Sequence, residues 1–183
     1  MYLSTVRGRT YGFVPNNEPA QRIKRYRVSA SVAAIYPGDL VELQADGTIR
    51  VVVVTNPTAL VGVAAAYNAA NTANVSFPVY GGPGAEFHVS DDEASNSQVL
   101  AATSLGARCQ VKVTTGDTSI LRSKQVILAT SAFTTAASPL TLLRLHEIEA
   151  DTFSAASGTT ANSRTWVVLI NNDLLAGYQQ LGV

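Results

Sequence analysis

Two histidines, His88 and His146, and one cysteine, Cys109, are the side chains of this chain best suited to nucleophilic or acid–base chemistry. A Cys–His pair would make a thiolate nucleophile, yet no motif places either histidine beside Cys109. Both histidines stand in strand-like runs, Phe87-His88-Val89 and Leu145-His146-Glu147, where such residues pack or face solvent. No G-x-S-x-G elbow supplies a serine nucleophile. A transition-metal centre needs three or four clustered ligands, which two distant histidines and one cysteine do not provide. Asp91-Asp92-Glu93 is a run of adjacent acids rather than the spaced oxygens of a calcium loop, and reads as the charge at a helix start. Gly81-Gly82-Pro83-Gly84 has the glycines of a phosphate cradle, but Ala85-Glu86-Phe87-His88 follows it in place of G-K-[ST], so it reads as a turn. These residues define no catalytic site and no cofactor; the sequence reads as that of a non-enzyme.

Charge gives the stronger signal. Arg7, Arg9, Arg22, Lys24, Arg25 and Arg27 precede residue 28, with Glu18 the only acid there. The chain as a whole has 13 Lys+Arg against 13 Asp+Glu, so the remainder is net acidic. With Tyr11, Phe13 and Tyr26 interleaved, the basic start has a phosphate-plus-stacking pattern that nucleic acid accepts. Zero net charge and the lack of any recognition motif favour an acidic protein surface instead. Charged residues make up only 14% of the chain and hydrophobic ones 46%. That mixture supplies a core and leaves a surface suited to contact with other protein.

The elements that must carry these residues read as β-structure. Ile23 to Val28 alternates as a strand with one wet face. Tyr36-Pro37-Gly38-Asp39 turns into Leu40–Leu43, and Asp46-Gly47 is a hairpin turn into Ile49–Thr55. Val51–Val54, four β-branched residues in a row, predicts a strand buried on both faces. Leu60–Tyr67, Val75–Tyr80, Glu86–Val89, Cys109–Val113, Gln125–Ala129, Leu140–Glu149 and Trp166–Ile170 follow as strands. One short helix is expected from Asp91 to Leu105, closed by Gly106. Ala150–Arg164, rich in Ser, Thr, Ala and Gly, reads as a projecting loop, and no internal repeat is apparent. The fold class is therefore all-β: a single β-sandwich or β-barrel domain, residues 23–183, with one short helix and an extended basic N-terminal arm, residues 1–22. One cysteine excludes an internal disulfide. The opening residues lack the apolar core of a signal peptide, and no stretch is long enough for a membrane span, so synthesis in a cytoplasm is expected.

A succession of blocks adds to this. Arg25–Leu43 (RYRVSASVAAIYPGDLVEL), Leu60–Tyr67 (LVGVAAAY), Val79–Val89 (VYGGPGAEFHV), Leu105–Val113 (LGARCQVKV), Leu140–Glu147 (LTLLRLHE) and Trp166–Asn172 (WVVLINN) cover most of the chain from Arg25 onward. In this order they resemble the capsid decoration, or cement, proteins of tailed bacteriophages. The chain departs from that pattern near its start, where Arg7-Gly8-Arg9-Thr10-Tyr11-Gly12-Phe13 replaces a D-G-S-P-type segment, and at Tyr80–Gly84, where an acidic stretch is expected. The resemblance implies a structural virion protein made in the host cytoplasm and located on the capsid exterior. Its partners would be the major capsid protein and copies of itself, a homotrimer being favoured and a dimer possible, without membrane, nucleic acid, metal or cofactor. Arg7, Arg9, Tyr11, Arg22, Lys24, Arg25 and Arg27 are then the capsid-contact residues. The alternative is a head-fibre or host-attachment β-sandwich binding surface glycans through Asn68–Asn74 and Ala150–Arg164; a cupin-like enzyme would require a bound metal.

Overall fold

The computed structural model describes residues 12–16, 22–30, 33–55, 57, 59–82, 84–92, 104–128, 140–145 and 165–170. Eleven strands are present among them: β1 (Val14–Pro15), β2 (Arg22–Arg27), β3 (Leu40–Leu43), β4 (Ile49–Val51), β5 (Leu60–Ala64), β6 (Ser76–Gly81), β7 (Glu86–Ser90), β8 (Arg108–Lys112), β9 (Val126–Leu128), β10 (Leu140–Leu145) and β11 (Thr165–Ile170). They form two antiparallel sheets, a six-stranded one in the order β1-β7-β11-β10-β8-β9 and a five-stranded one in the order β2-β6-β5-β3-β4. The all-β class expected from the sequence is thus what the chain forms, its two antiparallel sheets being those of the sandwich among the two expected architectures. Most of the segment read as a helix, residues 93–103, lies outside the described residues, as does Ala150–Arg164.

Side-chain alternation explains how two sheets share one body. On β3 and β5, Leu40, Leu60 and Val63 enter a large core with Phe87, Val89, Cys109, Val111, Ile127, Leu140, Trp166 and Val168 of the six-stranded sheet. Their neighbours Val41, Val61 and Ala64 point the other way, into a second core with Val28, Ile35, Ile49, Phe77 and Val79. Both faces of β5 are therefore buried, which is why LVGVA carries no polar residue. Gly62 is required in it: at φ +141° a Cβ would lie 2.0 Å from the Tyr80 carbonyl oxygen.

The run Val51–Val54 behaves differently from its sequence expectation. β4 ends at Val51; Val52 is buried, but Val53 is 55% and Val54 47% exposed. Val52 N–H donates to the Leu40 carbonyl at 3.0 Å, and beyond it the chain leaves the sheet. β-branching specifies extended backbone, not burial, and here the partner strands determine burial.

The two sheets also repeat one topology, which the sequence does not reveal. Counting β2 to β6 and β7 to β11 each as first to fifth, both sheets run first, fifth, fourth, second, third. In each, the residue after the first strand makes a parallel bridge to the third: Val28 to Ile49, and Asp91 to Ile127. The next backbone N–H then donates to the same isoleucine, Ser29 to Ile49 at 3.0 Å and Asp92 to Ile127 at 2.9 Å. The second strand of each half follows an equivalent turn. Asp39 N–H bonds to the Tyr36 carbonyl and Ala107 N–H to the Ser104 carbonyl, both at 2.9 Å. Gly38 (φ 92°) and Gly106 (φ 80°) take the left-handed position in these turns. The bridges curl each sheet, joining its first and third strands.

β1 adds to this plan from outside. Within the segment read as an arm, Phe13 is buried in the large core, and Val14 and Pro15 pair antiparallel with His88 and Phe87 of β7. Asn16 completes the attachment, its backbone N–H donating to the Glu86 carbonyl at 2.9 Å and its side-chain Nδ2 to Glu86 Oε2 at 2.7 Å.

Candidate contact surface

β2 assembles four of the seven residues singled out from the sequence: Arg22, Lys24, Arg25 and Arg27. Arg7, Arg9 and Tyr11 lie outside the described residues. β2 pairs in full register with β6, from Arg22 opposite Gly81 to Arg27 opposite Ser76. Tyr26, opposite the buried Phe77, packs against the second core. Parity then places Lys24 on the same face as Tyr26, and Ile23, Arg25 and Arg27 on the other. Lys24, Arg25 and Arg27 are all exposed, and Ile23 is 58% exposed between them. The wet face expected from the alternation is there, although exposure extends to both faces of the strand.

Three cations elsewhere on the described surface are matched with acids: Arg50 with Glu42 at 2.8 Å, Lys112 with Asp92 at 2.9 Å, and Lys124 with Asp117 at 3.0 Å. Lys24, Arg25 and Arg27 form no ion pair among the described residues. The Arg25 guanidinium only reaches the Ser76 carbonyl, at 3.4 Å. Among the described residues β2 is thus a band of positive charge without acidic partners at the end of a sheet, the arrangement that attracts an anionic partner.

Cys109 and His88, two of the residues suited to chemistry, lie on the other sheet. Cys109 is fully buried on β8. Burial, reinforced by the nearby Asp91 carboxylate, pushes its thiol up to about 12, so the thiolate that nucleophilic attack needs does not form near neutrality. His88 is half-buried on β7, and His146 lies outside the described residues. Among the described residues no group of three or more His, Cys, Asp or Glu is placed to hold a metal ion, and no helix is long and apolar enough to cross a membrane. Asp91 accepts a hydrogen bond from Trp166 Nε1 at 2.9 Å inside the body, a pairing between residues 75 apart that no local motif announces.

A second buried acid ties the halves together. Asp39, 2% exposed, accepts from the Tyr36 backbone N–H at 2.8 Å and from the Ser123 hydroxyl. Ser123 Oγ in turn accepts from the Gln125 N–H at 3.1 Å, and Gln125 Oε1 accepts from the Leu40 N–H at 2.8 Å. The Ser123 N–H bonds to the Pro37 carbonyl at 3.1 Å and the Phe13 N–H to the Gly38 carbonyl at 2.9 Å. Loss of hydration raises the Asp39 carboxyl from 3.8 to about 6, and the hydrogen bonds from Ser123 and Tyr36 only partly offset this. This network joins the turn before β3 to the segment before β9. No local motif announces it, because its halves lie far apart in the chain, Leu40 and Gln125 by 85 positions.

Compared with known proteins, the chain matches no family model, no curated protein and no solved structure.

Proposed function

We propose that this protein is a structural virion component that binds the outside of a phage capsid and stabilises it by bridging major capsid subunits. The observation that carries the reading is β2, where Lys24, Arg25 and Arg27 stand exposed and without acidic partners among the described residues, on a strand fixed along its length to β6. Such a band binds an acidic protein surface and is held in one geometry by the body behind it. The order of sequence blocks that resembles decoration proteins supports the same reading, as does a surface with few charges. Self-association belongs to it, with a trimer favoured over a dimer. Two adjacent exposed pairs, Val53-Val54 and Ile120-Leu121, provide apolar surface for subunit contacts. Many weak contacts, repeated over a shell, sum to strong reinforcement without high affinity at any one of them.

The test is co-sedimentation of the purified protein with expanded, undecorated capsids built from the major capsid protein of the same virus. Saturable binding that weakens as salt is raised, and is reduced in the Arg25→Glu, Arg27→Glu double variant, is the expected result. Absence of saturable binding to such capsids would remove the reading.

A further inference from the structure

The duplicated topology makes the two halves comparable strand by strand, and they differ at one edge. In the second half the outer edge of the first strand, β7, is occupied by β1. In the first half the equivalent strand is β2, and before the Val28–Ile49 bridge no described residue pairs with its outer edge. Val28 and Asp91 hold the same place in the two halves, so counting back matches Arg25 with His88, Lys24 with Phe87, and Ile23 with Glu86. At β7 those positions receive Val14, Pro15 and the N–H of Asn16.

The backbone of β2 is oriented for the same use. Val28 N–H donates to the Val75 carbonyl at 3.3 Å, and Pro78, opposite Arg25, gives its carbonyl to Ala65 of the neighbouring strand at 3.1 Å. Arg25 is therefore a non-bonded position toward β6. By the antiparallel alternation, the N–H and C=O groups of Ile23, Arg25 and Arg27 point away from the sheet. They span about 14 Å at the rise of an extended chain. Every other sheet edge is shorter: β1 has two residues, β4 three and β9 three. β4 and β9 also accept the closing bonds from Ser29 and Asp92. β2, six residues long and closed only where Val28 bridges to Ile49, is the longest open edge among the described strands.

Its charge selects the occupant. Two β2 edges from two copies would bring Lys24, Arg25 and Arg27 against their like, which repels self-pairing. A strand carrying carboxylates meets opposite charge on both faces, Arg25 and Arg27 on one and Lys24 on the other, with Ile23 offering apolar contact beside them. We propose that the outer edge of β2 is a strand-addition site for an extended acidic segment of a partner protein, which pairs antiparallel with Ile23–Arg27 as β1 pairs with β7. The inference rests on the capsid reading for the identity of that partner, a shell subunit, and on the fold and charge for the chemistry.

The experiment is amide hydrogen exchange followed by NMR on the full chain, with a synthetic peptide of alternating glutamate and valine as the probe. A second peptide of the same sequence is N-methylated at alternate residues, which removes its backbone donors and keeps its charge. The first peptide slows exchange at Ile23, Arg25 and Arg27 and leaves Lys24 and Tyr26, already bonded to β6, unchanged. The N-methylated peptide does not. The Arg25→Glu, Arg27→Glu variant keeps its melting temperature and binds the first peptide about tenfold more weakly. Equal binding of the two peptides, protection at other strands, absence of binding, or protection of the same amides by increasing protein concentration alone would each overturn the proposal. Peptide addition at β2 without binding to capsids would leave strand addition standing and remove the capsid reading. Capsid binding without protection at the edge would do the reverse.

Discussion

Replacing Asp39 with asparagine isolates the cost of a buried charge. Asp39 is enclosed at the junction of the turn before β3 and the segment before β9, and its carboxyl is raised from 3.8 to about 6 by burial. At about 1.4 kcal/mol per pH unit, ionising it in the folded protein costs about 3 kcal/mol relative to the unfolded chain. The sign follows from proton binding. Between pH 3.8 and about 6 the folded state holds a proton that the unfolded state has lost. The stability contribution of Asp39 is therefore complete below the lower value and is lost as pH rises through the upper one. Asparagine retains an oxygen acceptor for the Tyr36 N–H and offers a donor to Ser123 Oγ, without titrating. Asp117 and Asp46 are held below their ordinary range, chiefly by hydrogen bonds from Ser119 and Thr48 respectively. They make stability fall with acid, in the opposite sense to Asp39. Both are present in wild type and variant, so they cancel in the difference. Urea unfolding of both proteins from pH 4 to pH 8 is the assay. The Asp39→Asn advantage grows by about 2–3 kcal/mol across that interval and levels off above pH 7. A difference that stays flat, or that shrinks with rising pH, would refute the reasoning.

Three further substitutions or modifications test the rest of the body. Trp166→Phe removes the Nε1 donor to Asp91 and part of a fully buried ring; a loss of about 2–4 kcal/mol is expected in urea unfolding at neutral pH. Gly62→Ala drives a Cβ into the Tyr80 carbonyl on a backbone at φ +141°; no cooperative thermal transition of the native kind is expected, since the clash is with main chain that cannot yield. Cys109, buried and with its thiol pushed up to about 12, does not react with a thiol-specific chromogenic disulfide at pH 8 until urea unfolds the chain. Rapid reaction in the native protein would contradict its placement.

The strands were legible where local pattern decides them. Leu40–Leu43 lies between a Pro-Gly turn and an Asp-Gly hairpin, and the basic alternation of β2 showed through its charges. Burial was less legible. Val51–Val54 and Leu60–Ala64 are both apolar runs, and only the position of β5 between two sheet neighbours makes the second of them two-sided. The duplicated topology was hidden for a related reason. Equivalent interior positions are filled by unlike residues, Val41 in one half and Cys109 in the other, and the shared features are backbone ones: a left-handed glycine and a bridge to an isoleucine. The contact surface was half legible. Residue types marked Lys24, Arg25 and Arg27, but the edge left open among the described strands follows from β1 occupying β7 and not β2. The buried pairs Asp91–Trp166 and Asp39–Ser123 join distant positions, and single-chain pattern carries no information about which polar groups will meet inside.

The most direct test of the central claim is electron cryomicroscopy of expanded, undecorated capsids mixed with an excess of this protein. The expected result is added density on the outer surface at symmetry-related positions between major capsid subunits, with β2 facing the shell. Capsids whose outer surface is unchanged by the protein would contradict it.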